Sequence, residues 1–233
     1  MQTLLFAFAH PDDESFACGG TLARIHAEEK GRAILYCATR GEAGSPGSPP
    51  LCTKDELGDY RERELRRAAT LLGIDEVFLR DFGDGQLSKI PLEQLTADLA
   101  RLLDQVNPDA VITFPPHGIS GHPDHRVIQA AVTKAVEASA RAASIRLYRV
   151  VLPESANPVE GVHYTPVDEI THRVDVSPYR RVMMEALKAH QTQHASIAQV
   201  FPGVLKSQWE HLHRTEFFQS VHSWKSIPRG SLL

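Results

Sequence analysis

Apolar residues fall along this chain in short unbroken runs separated by longer stretches where they recur every three or four positions. The run Leu4-Leu5-Phe6-Ala7-Phe8-Ala9 predicts a fully buried strand over about 3–9, and 19–30 reads as a helix with Leu22, Ala23 and Ile25 inward, stopped by Gly31. A second buried strand is expected at 33–39. Leu57, Tyr60, Leu65, Ala68 and Leu72 space an amphipathic helix over about 55–72, closed by Gly73. Val77-Phe78-Leu79 predicts a third strand, 92–106 a helix broken by Asn107-Pro108, and 110–113 a fourth strand. An alanine-rich helix at 127–142 and a strand at 145–152 follow. This β-α-β-α alternation predicts an α/β fold: a mainly parallel sheet with helices on both faces and right-handed crossovers. Past Pro153 the pattern weakens to a loop with Asn157-Pro158, an alternating segment near 170–176 and a helix at about 179–194.

Composition narrows the picture. A chain of 233 residues is ample for one domain, taken as 1–233 with a less regular C-terminal third from about 153. A formal charge of −4 and the lack of any Lys/Arg-dense block argue against a nucleic-acid partner. The N-terminal apolar run is short and meets two aspartates at once, so neither a signal peptide nor a membrane span is expected; a cytoplasmic protein is. Cys18, Cys37 and Cys52 are odd in number and lack Cys-x-x-Cys spacing, which disfavours a disulfide framework or a thiolate zinc site. A homo-oligomer is compatible with the sequence. The segment 41–50, rich in Gly, Pro and Ser, is too long for an ordinary turn and reads as a lid or binding loop.

The first strand runs straight into His10-Pro11-Asp12-Asp13-Glu14, and the theme returns after the fourth as Gly121-His122-Pro123-Asp124-His125. Strand ends are where open α/β sheets gather ligand-binding loops. A catalytic cation of zinc type needs three nitrogen or oxygen ligands and an open position, a set that His10, Asp13 and His125 supply. Ferrous iron and other divalent ions suit the same donors. Asp12, pointing away from its neighbour, is placed to act as general base on water whose pKa the metal lowers from about 15.7 to about 7. His122 is the group to stabilise an oxyanion or protonate a leaving group, with Asp124 behind it as orienter. Alone, a His-Pro-Asp is more often a capped turn, and Asp12-Asp13-Glu14 also suits a helix N-terminus. The repetition argues for function. His117, His163, His172, His190, His194, His211, His213 and His222 read as solvated or core residues. Gly19-Gly20 lacks the remaining glycines of a dinucleotide or phosphate loop.

These segments resemble the LmbE-like or PIG-L de-N-acetylases, including the deacetylases of the bacillithiol and mycothiol pathways. Ala9-His10-Pro11-Asp12-Asp13-Glu14 with Gly19-Gly20-Thr21-Leu22-Ala23 resembles the family's opening signature, and 121–125 its second. Tyr60-Arg61-x-x-Glu64-Leu65, Leu72-Gly73 and Asp84-Gly85-x-Leu87 are similar to its middle, and His190-x-x-Gln193 to its His-x-Ser-Gln, with Thr192 for the serine. Ser120 stands where some relatives have tyrosine. The resemblance implies a Rossmann-like three-layer sandwich that hydrolyses the N-acetyl group of an N-acetylglucosamine-containing small molecule, giving acetate and a free amine. It also implies a metal on His10, Asp13 and His125, Asp12 as base, His122 as oxyanion or acid residue, and Arg61 and Asp84 on sugar hydroxyls, with Asp81 as substitute for Asp84. An amidase acting on a thiol-sugar S-conjugate is the alternative, and a metal-binding module without turnover the less favoured one.

Overall fold

The structure, a computed structural model, describes residues 1–155 and 159–221, so Asn157-Pro158 and His222 lie outside the described residues. Five strands form the parallel part of the sheet: β1 (Gln2–Phe8), β2 (Gly31–Cys37), β3 (Glu76–Leu79), β4 (Ala110–Thr113) and β5 (Arg146–Val151). Their apolar runs reflect burial on both faces, which parallel sheets require; Leu4 to Phe8 are wholly inaccessible. Between them run α1 (Asp13–Ala27), α2 (Leu57–Leu72), α3 (Leu92–Val106) and α4 (Pro123–Ala138). The C-terminal part contributes β6 (His172–Asp175), α5 (Arg180–Ala189), α6 (His194–Val200) and β7 (Thr215–Ser220).

The sheet order is β3-β2-β1-β4-β5-β7-β6, with β7 antiparallel to both β5 and β6. The chain therefore builds outward from β1 in one direction, then crosses back to start again at β4. Right-handed crossovers put α1 and α2 on one face and α3 and α4 on the other. Accordingly α1, α2 and α5 pack together, and α3 packs on α4. The loops leaving β1 and β4 diverge at this switch point and open a crevice between them.

Helix boundaries shift from the expected ones for identifiable reasons. Helix α1 begins at Asp13 rather than residue 19, but Cys18 leaves helical geometry at φ −139°, ψ 15°, so the expected helix is the second half of a kinked one that ends at Ala27 rather than residue 30. The amides of Gly20 and Thr21 at this restart donate to the Glu216 carboxylate of β7, each at 2.8 Å. Helix α4 starts early because Pro123 occupies its first turn behind His122, whose ring accepts the Asp124 amide. The helix expected at 179–194 is α5 followed by a 3-10 turn at Gln191–Gln193, and α6, which starts at His194, was not expected. Strand β7 was not foreseen: its inward positions are Glu216 and Phe218, and a buried glutamate hides the alternation. The three cysteines are free, Cys18 and Cys37 buried. Among the described residues no helix is long and apolar enough to cross a membrane.

Candidate active site

Beyond the end of β1, the Asp13 Oδ2 atom accepts the amides of Ala9 (3.2 Å) and His10 (2.8 Å). That leaves Oδ1 turned toward His125 Nε2, 3.2 Å away across the crevice. His125 donates from Nδ1 to the Gly118 carbonyl at 3.0 Å and stacks on Phe114 with ring centroids 4.0 Å apart. Its Nε2 is therefore the nitrogen that faces the crevice, and after the opposing effect of burial the Asp13 carboxylate raises the His125 pKa. His10 Nε2 faces two carboxylates, Asp84 Oδ1 at 3.0 Å and Asp124 Oδ2 at 3.3 Å, and so holds a proton there. His10 Nδ1 is the second ring nitrogen turned into the crevice, 3.3 Å from His125 Nε2 and 3.6 Å from Asp13 Oδ2.

The two 3.2–3.3 Å separations around His125 Nε2 match the edge of a ligand tetrahedron, about 3.3 Å for bonds of about 2.0–2.1 Å, while the 3.6 Å approach to His10 is made by the other Asp13 oxygen. Each imidazole is also oriented through its other nitrogen, as metal-ligating histidines are. The donor set fits a divalent cation. Two other groupings, His10 with His122 and His125 and His10 with Asp84 and Asp124, also have donor atoms within 4.8 Å of one another. Burial would lower the His10 pKa, but Asp124, Asp13 and Asp84 outweigh it and push it up to about 12. Burial likewise opposes ionisation of Asp13, yet His125 and His10 hold its carboxyl well below the usual range. The pocket is built for positive charge.

Asp12 sits between His10 and Asp13 with φ 108°, ψ −28°, a conformation that costs a non-glycine residue on the order of 1–3 kcal/mol. Neighbours hold it there. Its amide donates to Glu14 Oε2 at 3.0 Å, and its Oδ2 accepts from Arg61 Nη2 at 3.0 Å. Arg61 also donates to the carbonyls of Gly41 and Pro11 and is only 3% exposed. Burial pushes the Asp12 carboxyl up to about 6, with Arg61 pulling against it. Behind it, Glu14 accepts from Ser15 Oγ at 2.6 Å and pairs with the fully buried His190 Nε2 at 2.8 Å.

His122 Nδ1 accepts the Asp124 amide at 3.2 Å, so its Nε2–H points away from that bond. Burial, then His10 and His125, lower its pKa and keep the ring neutral. The Asp124 side chain is not behind His122 as expected: it accepts from Gly85 N at 2.7 Å and Leu87 N at 3.3 Å and orients His10 instead. Asp84 shares that task, while its other oxygen accepts the Ala43 amide at 3.1 Å. Arg61 and Asp84 both line the cavity, though most of their polar atoms are engaged within the protein. Asp81 is exposed and lies off the cavity wall.

His10, Asp12, Asp13, His122 and His125 share one cavity of about 820 Å³. The expected binding loop reaches it only through Gly44, pinned by Lys54 Nζ to its carbonyl at 2.6 Å. Much of the remaining wall comes from beyond residue 150, including Gln193, Phe201 and Phe217. Sequence reasoning missed several supports. Glu64 takes both the Thr192 amide (2.8 Å) and its hydroxyl (2.7 Å), and Gln193 donates to the Ser45 carbonyl at 3.0 Å. The signal was present in the pairing of Tyr60-Arg61-x-x-Glu64 with His190-x-x-Gln193, but nothing in the spacing says that the two segments meet.

Comparison with known proteins agrees with this geometry. The chain is 35% identical to a 1D-myo-inositol 2-acetamido-2-deoxy-alpha-D-glucopyranoside deacetylase of Saccharomonospora viridis, over 82% of this chain and 84% of that one. It is 30% identical to a probable N-acetyl-alpha-D-glucosaminyl L-malate deacetylase 2 of Bacillus anthracis, over 83% and 82%. The crystal structure of a conserved protein from Thermus thermophilus superposes with a TM-score of 0.70 at 26% identity, covering 98% of each chain. A family model described as PIG-L, GlcNAc-PI de-N-acetylase, matches residues 5–136, and with these relatives it shows that the chain belongs to the PIG-L family.

Proposed function

We propose that this protein is a metal-dependent hydrolase that removes the N-acetyl group from an N-acetylglucosamine-containing small molecule, releasing acetate and a free amine. The observation that carries the reading is the convergence of His10 Nδ1, His125 Nε2 and the Asp13 carboxylate at 3.2–3.6 Å, beside an aspartate that is not needed as a ligand. His10, Asp13 and His125 would hold the cation. Zinc is the ion we assign, and ferrous iron suits the same donors. Such a cation supplies Lewis acidity, making nearby water more acidic and an acyl oxygen more electrophilic.

The rest falls to the chain. Asp12, held by Arg61 and by its backbone bond to Glu14, accepts the proton of the attacking water and is then the acid that returns it to the departing nitrogen. Nitrogen leaves as a neutral amine, never as an amide anion. His122, neutral and with Nε2–H free, donates to the oxygen that gains charge as the carbonyl carbon becomes tetrahedral. Asp124 and Asp84 keep His10 in the tautomer that frees Nδ1.

The test is acetate release from N-acetylglucosamine glycosides by metal-stripped and metal-reloaded protein, with Asp12→Asn beside the parent. Activity should return with the metal, and Asp12→Asn should lower kcat by roughly 10²–10⁴-fold while metal content is retained. Full activity without metal, or in Asp12→Asn, would overturn the reading.

A further inference from the structure

The cavity is far larger than an acetamide requires, and its walls differ. The floor is polar and buried, with His10 and Asp13 at 8% and 7% exposure. The wall that leads outward is mostly apolar: Phe16, Val151, Leu152, Val200, Phe201 and Phe217 line it, with polar side chains such as Ser196, Gln199 and Thr215 between them. Phe16 and Phe201 meet edge to face at 5.2 Å, forming one aromatic surface. Leu152 and Val200 are 38% and 56% exposed, so apolar side chains reach solvent along this wall, where unpartnered hydrophobic surface is costly.

Charge gives the second half of the argument. Among the described residues lining the cavity, Arg61 is the only lysine or arginine. Its guanidinium is engaged by Gly41, Pro11 and Asp12. His213, the remaining basic group of the outer wall, faces Glu216 at 3.5 Å. An anionic substituent such as a dicarboxylate would lose its water here without a cation to replace it. A polyol would find hydrogen-bonding side chains such as Ser120, Ser196, Gln199 and Thr215 only scattered among the apolar ones.

We propose that the substrate of this site carries a neutral, apolar aglycone, an alkyl or aryl group linked to the acetamido sugar, which packs against the wall of Phe16, Leu152, Val200, Phe201 and Phe217. This rests on the deacetylase reading and narrows its substrate class. The scissile acetamide goes to the floor, where the metal-binding donors are. The aglycone is the end of the substrate remote from the amide, and it is the end that extends along the outward wall. Each methylene it buries there multiplies affinity roughly fourfold.

The experiment compares metal-reloaded protein on the methyl, hexyl and phenyl glycosides of N-acetylglucosamine, its inositol and malate glycosides, and a methyl glycoside whose N-acetyl is replaced by N-hexanoyl. The hexyl glycoside should exceed the methyl glycoside by at least about tenfold in kcat/KM, mainly through KM, and should exceed the malate glycoside too. Val200→Asp, on an exposed position, should pull the hexyl-to-methyl ratio down toward unity, as should Phe201→Ala. Preference for the malate or inositol glycoside, or equal rates on hexyl and methyl, overturns the proposal while leaving the deacetylase reading intact. Preference for the N-hexanoyl compound over the hexyl glycoside overturns it as well, by assigning the wall to the acyl side. If none of the amides is hydrolysed the deacetylase reading fails, and calorimetric binding of hexyl against methyl glycoside then decides this inference alone: equal affinity sinks it, tighter hexyl binding upholds it.

Discussion

Single side chains in this site do two jobs at a distance from the chemistry. His190 is the clearest case. It is fully buried, and its one partnered nitrogen holds Glu14, which in turn holds the Asp12 amide at φ 108°. Removing the imidazole leaves the Glu14 carboxylate buried without its partner, a loss of about 3–5 kcal/mol for pairs of this kind. It also frees Asp12 to relax toward an ordinary backbone conformation. His190→Ala should therefore lower the denaturation midpoint and, in the fraction still folded, reduce kcat more than it raises KM. His190→Gln can still donate to Glu14 and should recover part of both. Urea unfolding together with steady-state kinetics checks this; a stability loss with unchanged kcat would mean that the pair supports the core and not the base.

Elements show where the sequence was readable and where it was not. The strand runs and the two His-Pro-Asp segments were legible because burial on both faces writes continuous apolar stretches, and because a motif at a strand end is local in sequence. The kink in α1 was not legible, because its cause lies in β7, far along the chain. Glu216 satisfies the amides of Gly20 and Thr21, and Gly20 lets Val176, just past β6, approach so closely that an added Cβ would lie 2.4 Å from Val176 Cβ. The same nonlocality hid Asp124: its neighbour in sequence is His122, but its carboxylate serves His10. Gly20→Ala consequently forces either Val176 or the helix to move. It should cost about 1–3 kcal/mol, the range for overpacking a dense core, whereas Gly19→Ala, with its nearest new contact at 3.8 Å, should cost less. Thermal unfolding of the two variants side by side tests the ordering; equal stability would show that the close approach is not what demands glycine there.

At the level of the whole molecule, the sheet's change of direction places β1 and β4 side by side, and a bound cation would tie the loops beyond them together. In the metal-free protein a proton performs part of that service. His10 lies among Asp124, Asp13 and Asp84, which push its pKa up to about 12, well above neutrality, so near pH 7 the imidazole is charged. A metal can coordinate only the deprotonated nitrogen, so uptake must expel the proton it replaces. Titrating the stripped protein with zinc at pH 7 in buffers of differing ionisation enthalpy should give apparent enthalpies that scale with the buffer, with at least one proton released for each ion bound. Affinity should weaken as pH falls, because the same proton must be released against a higher proton concentration. Bound metal should also raise the unfolding temperature, by the equivalent of about 2.7 kcal/mol at a hundredfold excess over Kd. A buffer-independent enthalpy would mean that His10 is already neutral when the metal arrives, and that the three carboxylates around it orient the ring without charging it.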